Sequence, residues 1–138
     1  MDGDGVGVAF AEGDDLPEWS TAELTRTHFV RYAGASGDFN PIHHDEVAAR
    51  RLGYESVFGP GMLTAGLLAG YVTRLVGVDN LRRYGVRFTG QVWPGDVLTC
   101  RGSVERAGDD GFDLRLEVVN QHGATVVSGA ATAVVRPT

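Results

Sequence analysis

The run Ser36-Gly37-Asp38-Phe39-Asn40-Pro41-Ile42-His43 sets a carboxylate and an imidazole five residues apart, with an amide and a proline between them. A carboxylate beside an imidazole can take a proton from water and return one near neutral pH, which is general acid–base chemistry. None of these residues suits the interior of a helix or strand. Gly37 lets the chain turn, and Pro41 fixes φ and removes a donor. The run is therefore a rigid polar loop, the kind of segment on which chemistry is placed. A plainer reading stands beside it. Asp and Asn bond local N–H groups in turns, so Asp38 would serve as a loop cap and Asn40, before Pro41, as a turn residue. His43 close by, and a strongly apolar helix after it, favour catalysis by Asp38 and His43 together.

The elements around the loop follow from caps and periodicity. Thr25 or Thr27 caps a helix to about Ala35, with Phe29, Val30, Tyr32 and Ala33 on its apolar side. Gly34 and Gly37 end it. A short strand is expected at Thr21–Thr25, after a turn-like Asp14–Trp19. Asp45 and Glu46 open a second short helix that closes with Arg50, Arg51 and Gly53, signs matched to the helix dipole. Tyr54–Pro60 connects it to the strongest helix, Gly61–Val76, which is apolar on nearly every face. Such a helix is either buried or membrane-spanning. Thr64, Thr73 and Arg74 make it too polar, and sixteen residues too short, to cross ~30 Å of hydrocarbon. It is expected inside a curved sheet.

The sheet comes from alternating runs at Arg82–Phe88 (Tyr84, Val86 and Phe88 on one face), Val97–Ala107, Phe112–Asn120 and Thr125–Val135. Gln91–Asp96 reads as a strand end and turn. Gly108-Asp109-Asp110-Gly111 and Gln121-His122-Gly123 mark hairpins. The fold class is α+β: one domain from residue 14 to 138, an antiparallel sheet wrapped around one buried central helix. Residues 1–13 read as a flexible leader, not a signal peptide, since no basic segment precedes an apolar run.

Bulk properties narrow the function. The 138 residues suit one domain, and a formal charge of -6 excludes nucleic acid or an anionic membrane as the default partner. All twelve Lys/Arg positions are arginine, which rules out a lysine Schiff base and a P-loop lysine. The lone Cys100 cannot form an intrachain disulfide and fits a cytoplasmic setting; its place in a strand pattern reads as packing. His43-His44-Asp45 suggests a metal only superficially, because adjacent side chains diverge and no matching His/Cys cluster exists elsewhere. His28 and His122 are lone histidines of the surface or core. Gly61, Gly66 and Gly70 read as permitting close helix–sheet contact.

These motifs together resemble a known family. Tyr32-Ala33-Gly34-Ala35-Ser36-Gly37-Asp38-Phe39-Asn40-Pro41-Ile42-His43, Gly61-Met62-Leu63, Val86-Arg87-Phe88 and Pro94-Gly95-Asp96 are similar to the MaoC-like hydratases of the hot-dog fold. These are (R)-specific enoyl-thioester hydratases and dehydratases, and the likeness extends to catalytic subunits of fatty-acid elongation dehydratases. The specific part is the Asp-x-Asn-Pro-x-His loop, within a likeness running from about Leu24 to the C-terminus. The resemblance implies that Asp38 and His43 hold one water and act as base and acid. It implies that Asn40 shapes the site and that the Gly61 N–H takes the thioester oxygen, with Pro60 and Met62 beside it. Pro60 stands where the family often has histidine. Ala69 stands where some members have serine, which implies either a larger acyl pocket or a looser hold on Asp38. No cofactor and no metal is implied.

Arg82, Arg83 and Arg87 are expected either to pair with phosphates of coenzyme A or an acyl-carrier phosphopantetheine, since arginine matches phosphate oxygens bidentately, or to form a solvated strand face. The function expected is hydration of 2-enoyl-CoA or enoyl-carrier thioesters, or the reverse. Two alternatives are a subunit of a hetero-oligomeric dehydratase that needs a paralogous partner, and a hot-dog acyl-CoA thioesterase. A lone sheet leaves an edge and an apolar face to cover, so a homodimer, or a hetero-oligomer, is expected.

Overall fold

A computed structural model of the chain describes residues 10–134. In chain order the elements are β1 (Trp19–Ser20), α1 (Arg26–Ser36), α2 (Glu46–Arg51), α3 (Gly61–Val76), β2 (Leu81–Phe88), β3 (Thr99–Gly108), β4 (Gly111–Val119) and β5 (Thr125–Val134). Short 3-10 turns occupy Pro41–His43 and Val78–Asn80. The strands form one antiparallel sheet in the order β1-β3-β4-β5-β2. This is the expected α+β hot-dog architecture, with α3 laid on β2, β4 and β5.

Alternation decides the two faces of the sheet. Leu114, Leu116 and Val118 of β4 are buried with Leu68 and Val72 of α3 and Val127 of β5. Burying side chains of this size contributes ~1.5–3 kcal/mol each before entropy is counted. The other face carries ion pairs between neighbouring strands: Arg101–Glu117 at 2.7 Å, Arg106–Asp113 at 2.7 Å and Arg115–Glu105 at 2.8 Å. Two phenols bolt α3 in place. Tyr84 donates to the Ala65 carbonyl at 2.6 Å, and Tyr71 donates to the Pro17 carbonyl at 2.8 Å. Burial pushes both phenols up to about 12, so they stay protonated donors.

The sheet covers one flank of α3. Thr64, Ala65, Leu68, Tyr71 and Val72 are buried, whereas Met62 and Gly66 on the opposite flank are exposed. The apolar surface of this helix is wider than one sheet can cover.

Several expectations shift in detail. Trp19–Ser20, not Thr21–Thr25, forms the first strand, pairing with Cys100 and Thr99. Thr25 is occupied as the N-cap of α1, and Thr21 and Leu24 instead donate single bonds to the Leu98 and Asp96 carbonyls, both at 2.8 Å. β3 begins at Thr99 rather than Val97, because the Val97 N–H is taken by the Gln121 side chain at 3.0 Å. Gly34 lies inside α1, which ends at Gly37 with φ 76, a left-handed conformation open to glycine. His28 is not an idle histidine: its Nδ1 accepts the Thr25 N–H at 3.0 Å and closes the start of α1. Residues 10–13 of the expected leader are fastened, with Phe10 edge-on to Phe112 at 5.4 Å and the Gly13 N–H on the Val104 carbonyl at 2.8 Å. Residues 1–9 of that leader, and Val135 of the last expected strand, lie outside the described residues.

Cys100 is fully buried between β1 and β4, and desolvation pushes its thiol up to about 11. Only the thiolate reacts with disulfide reagents. The native chain at pH 8 is expected to give no colour with DTNB over minutes, and one thiol at once in denaturant. The raised pKa also carries a sign for stability. Its contribution is whole below pH 9.0 and falls as pH rises from 9.0 toward about 11, since the unfolded chain ionises first. A urea midpoint that drops less in Cys100→Ala than in the wild type over that window would check it.

Candidate active site

The loop between α1 and α2 is a chain of local caps. Ser36 Oγ accepts the Asp38 N–H at 3.2 Å, Asp38 Oδ1 accepts the Asn40 N–H at 3.3 Å, and Asn40 Oδ1 accepts the Ile42 N–H at 3.2 Å. Asn40 caps the turn Pro41–His43, so its side chain works on the backbone. Asp45 then caps α2 through Oδ1, accepting from Val47 at 2.9 Å and Ala48 at 3.2 Å. Each short polar side chain is spent on holding the loop, except for one oxygen of Asp38.

That oxygen, Oδ2, faces His43 Nε2 at 3.6 Å. The separation is too long for a direct hydrogen bond and suits a small polar species held by both. The two groups sit in different surroundings: the His43 side chain is 8% exposed and that of Asp38 44%. On its other side, His43 Nδ1 lies 2.7 Å from the Phe58 carbonyl. A carbonyl can only accept, so the proton sits on Nδ1 in the neutral ring and Nε2 carries the lone pair. The Phe58 ring packs edge-on against the imidazole at 5.2 Å, backed by Tyr54 at 4.7 Å and Trp93 at 5.8 Å.

The same connector leads into α3. The Phe58 N–H reaches the Ile42 carbonyl at 3.3 Å, and the Gly59 N–H reaches the Val92 carbonyl at 2.7 Å. Two residues later α3 starts at Gly61, behind a buried Pro60 that supplies no side-chain cap. The first N–H groups of a helix lack intrahelical partners and carry the positive end of its dipole. A Cβ at Gly61 would stand 3.1 Å from the Phe88 ring, so glycine lets that ring close over the helix end. Met62 beside it is 59% exposed.

The structure thus brings Asp38, Asn40, His43, Pro60, Gly61 and Met62 onto one connected strip. It does not bring the arginines there. Tyr84 faces α3, so Arg83 and Arg87, offset from it by odd steps, point to the opposite sheet face. They line a broad concavity of ≈ 1370 Å³ with Arg101, Arg115 and Glu117. Arg82 sits at the bulge that opens β2 and donates to the Asp79 carbonyl at 2.7 Å, near the far end of α3. Within one chain, these residues form the solvated face. Among the described residues, no three His, Cys, Asp or Glu side chains converge as metal ligands would, and no helix is long and apolar enough to cross a membrane. Phe58, and the closeness of Phe88 to Gly61, escaped the sequence reading. Phe58 acts through its backbone, which leaves no side-chain signature, and Phe88 through a contact set by the fold.

Comparison with known proteins bears out the family resemblance. Residues 11–128 match the family model described as a MaoC like domain. The chain is 35% identical over 101 residues to 3-hydroxyacyl-thioester dehydratase X of Mycobacterium tuberculosis, a match covering 72% of this chain. It spans about a third, 34%, of that relative's length. Among solved structures, the (R)-hydratase from A. caviae involved in PHA biosynthesis is 26% identical with a TM-score of 0.80, covering 94% of this chain and 99% of that one. The ChsH1-ChsH2 complex from Mycobacterium tuberculosis is 26% identical with a TM-score of 0.81, covering 91% and 98%.

The His43–Phe58 contact sets a measurable tautomer. Long-range ¹⁵N–¹H correlation at a pH where the ring is neutral should show His43 protonated at Nδ1, with Nε2 shifted as an unprotonated nitrogen. A ring protonated at Nε2 would contradict the geometry.

Proposed function

The chain belongs to the MaoC-like domain family, and we propose that it adds water across 2-enoyl thioesters to give (R)-3-hydroxyacyl thioesters, or runs the reverse dehydration. The observation that carries this reading is the 3.6 Å gap between Asp38 Oδ2 and His43 Nε2 on a strip continuous with the uncapped start of α3. A water standing beside the pair, within reach of both atoms, has two acceptors. As its oxygen bonds to C3 of the substrate, the lone pair of His43 Nε2 takes its proton, and the Asp38 carboxylate steadies the imidazolium. The π pair of the double bond moves to C2 and the thioester carbonyl, whose oxygen becomes an enolate. The Gly61 N–H donates to that oxygen, and the helix dipole favours its charge. The Asp38/His43 pair then returns a proton to C2, and the carbonyl re-forms. One proton leaves water and one reaches carbon, so no cofactor enters the balance.

Each part has a typical size. A positioned acid–base pair contributes about 10²–10⁴ in rate, and one oxyanion donor about 10²–10³. The substrate carrier is coenzyme A or an acyl-carrier protein, and the buried thiol of Cys100 suits a reducing cytoplasm. A thioesterase would need a nucleophile or base placed for attack on the carbonyl; Cys100 is buried within β3, and the Asp-x-Asn-Pro-x-His loop is not that activity's signature.

A second chain is part of the reading. Phe39 at 67%, Met62 at 59% and Phe88 at 49% exposure leave an apolar rim at the site, and β2 is a sheet edge paired only with β5 among the described residues. We assign both to one interface, formed with a second copy or a paralogous subunit. The printed name of the ChsH1-ChsH2 neighbour describes such a two-chain complex. Two β2 edges meeting antiparallel would carry Arg82 of each copy toward the Phe88 end of the other.

Crotonyl-CoA and a long-chain 2-enoyl-CoA should lose their enoyl absorbance with the purified chain, without release of free thiol. Free thiol would establish thioester hydrolysis instead, and no change until a paralogue is added would establish the hetero-oligomer. Asp38→Asn and His43→Gln should each lower turnover by about 10²–10⁴ with the fold intact. Near-normal rates in either variant would remove the pair from the mechanism. By sedimentation at micromolar concentration the chain alone should run as a dimer; a monodisperse monomer would reject self-association and leave the paralogous interface.

A further inference from the structure

We propose that Glu46, gripped by Arg26 and Ser56, is a positioning residue for His43, acting through the backbone of residues 56–58. The proposal rests on His43 being the proton-transferring group described above.

Glu46 opens α2, three residues past His43, and its Oε1 collects three donors. Arg26 reaches it through Nε at 2.8 Å and also through Nη2, and Ser56 Oγ donates to it at 3.2 Å. Arg26 Nη2 donates in turn to Ser56 Oγ at 3.2 Å. Arg26 is the first residue of α1, so one carboxylate ties together the starts of both helices that flank the loop and the connector behind it. Two residues past Ser56, Phe58 grips the loop twice: its carbonyl receives His43 Nδ1–H at 2.7 Å, and its N–H binds the Ile42 carbonyl at 3.3 Å. Val57 between them is fully buried, so a shift at Ser56 passes to Phe58 with little slack.

Helix capping does not explain this glutamate, because Asp45 already caps α2. Nor is the carboxylate simply in water. Oε2 is shut off from solvent and makes no close hydrogen bond, with Arg50 Nη2 4.0 Å away and the Val57 N–H helping to hold the carboxylate. Burying a carboxylate oxygen in this way is unfavourable, and such a group in a folded chain calls for a reason. Here the outcome is a connector held at a fixed distance from His43. Arg26 holds the Glu46 carboxyl below its ordinary range, so the grip is charged throughout the neutral range in which His43 works.

The test separates positioning from simple bracing. Glu46→Ala removes the whole grip, Ser56→Ala removes one arm with little risk to folding, and Glu46→Gln keeps an acceptor at Oε1. Both alanine variants should lower kcat on crotonyl-CoA by about ten- to hundredfold with KM unchanged, the scale of a misplaced catalytic group. Their His43 ¹⁵N spectrum should change from a single Nδ1–H tautomer to a mixture, while Glu46→Gln stays near the wild type in both readouts. If both alanine variants keep kcat and the tautomer, even with a lowered melting temperature, Glu46 only braces the fold and the proposal fails. If the wild type turns over no enoyl thioester even with a paralogous subunit added, the hydratase reading fails, and the tautomer readout still decides whether Glu46 positions His43.

Discussion

The site depends on one hydrogen bond, from His43 Nδ1 to the Phe58 carbonyl. An imidazole in water exchanges between two tautomers, and only one of them leaves a lone pair at Nε2. A backbone oxygen at 2.7 Å selects that one, because it has no proton to give. Everything nearby holds Phe58 still. Its N–H is tied to Ile42, the next N–H is tied to Val92, and its ring is stacked among Tyr54, Trp93 and His43 itself. The carbonyl that fixes the imidazole therefore belongs to the same connector that delivers the start of α3.

That strip explains why Pro60 is compatible with the chemistry. A helix N-terminus is normally quieted by a side chain from the N-cap residue. Proline offers none, so the leading N–H groups of α3 are left for another acceptor, while the ring fixes φ at −56 for entry into the helix. Gly61 completes the arrangement by making room for Phe88. A Cβ there would crowd the ring at 3.1 Å. On the proposed reading, a feature that looks like a poor cap for folding leaves free the donor that an oxyanion would take.

How far the sequence was legible depends on whether the signal was local. Gly61–Val76 was read to both ends, because apolar content and flanking Gly and Pro are written in consecutive residues. The loop was legible for the same reason: Asp, Asn and Pro bond or restrict their own neighbourhood. Trp19–Ser20 was not, since two residues become a strand only when Cys100 and Thr99 lie alongside. The arginines show the limit most clearly. Alternation correctly puts Arg83 and Arg87 on one face, but it cannot say which face α3 covers; Tyr84 reaching Ala65 decides that. The Arg26–Glu46–Ser56 contact joins three segments that only the fold brings together.

The all-round apolarity of α3 also has a physical reading beyond the single chain. A helix packed on one sheet needs an apolar stripe on one flank, with polar residues on the other. α3 has the stripe in Leu68 and Val72, yet its outer flank carries Met62, Gly66 and Gly70, with one charge, Arg74, following in the last turn. Small residues there let another backbone or an acyl chain come close, and charges would oppose both. The free edge of β2 and the exposed Phe88 lie next to this flank, where Phe88 touches Gly61. On the proposed reading, the pattern that made the helix look buried describes the assembled enzyme. The single sheet covers one flank, and on that reading the substrate and a second chain cover the other.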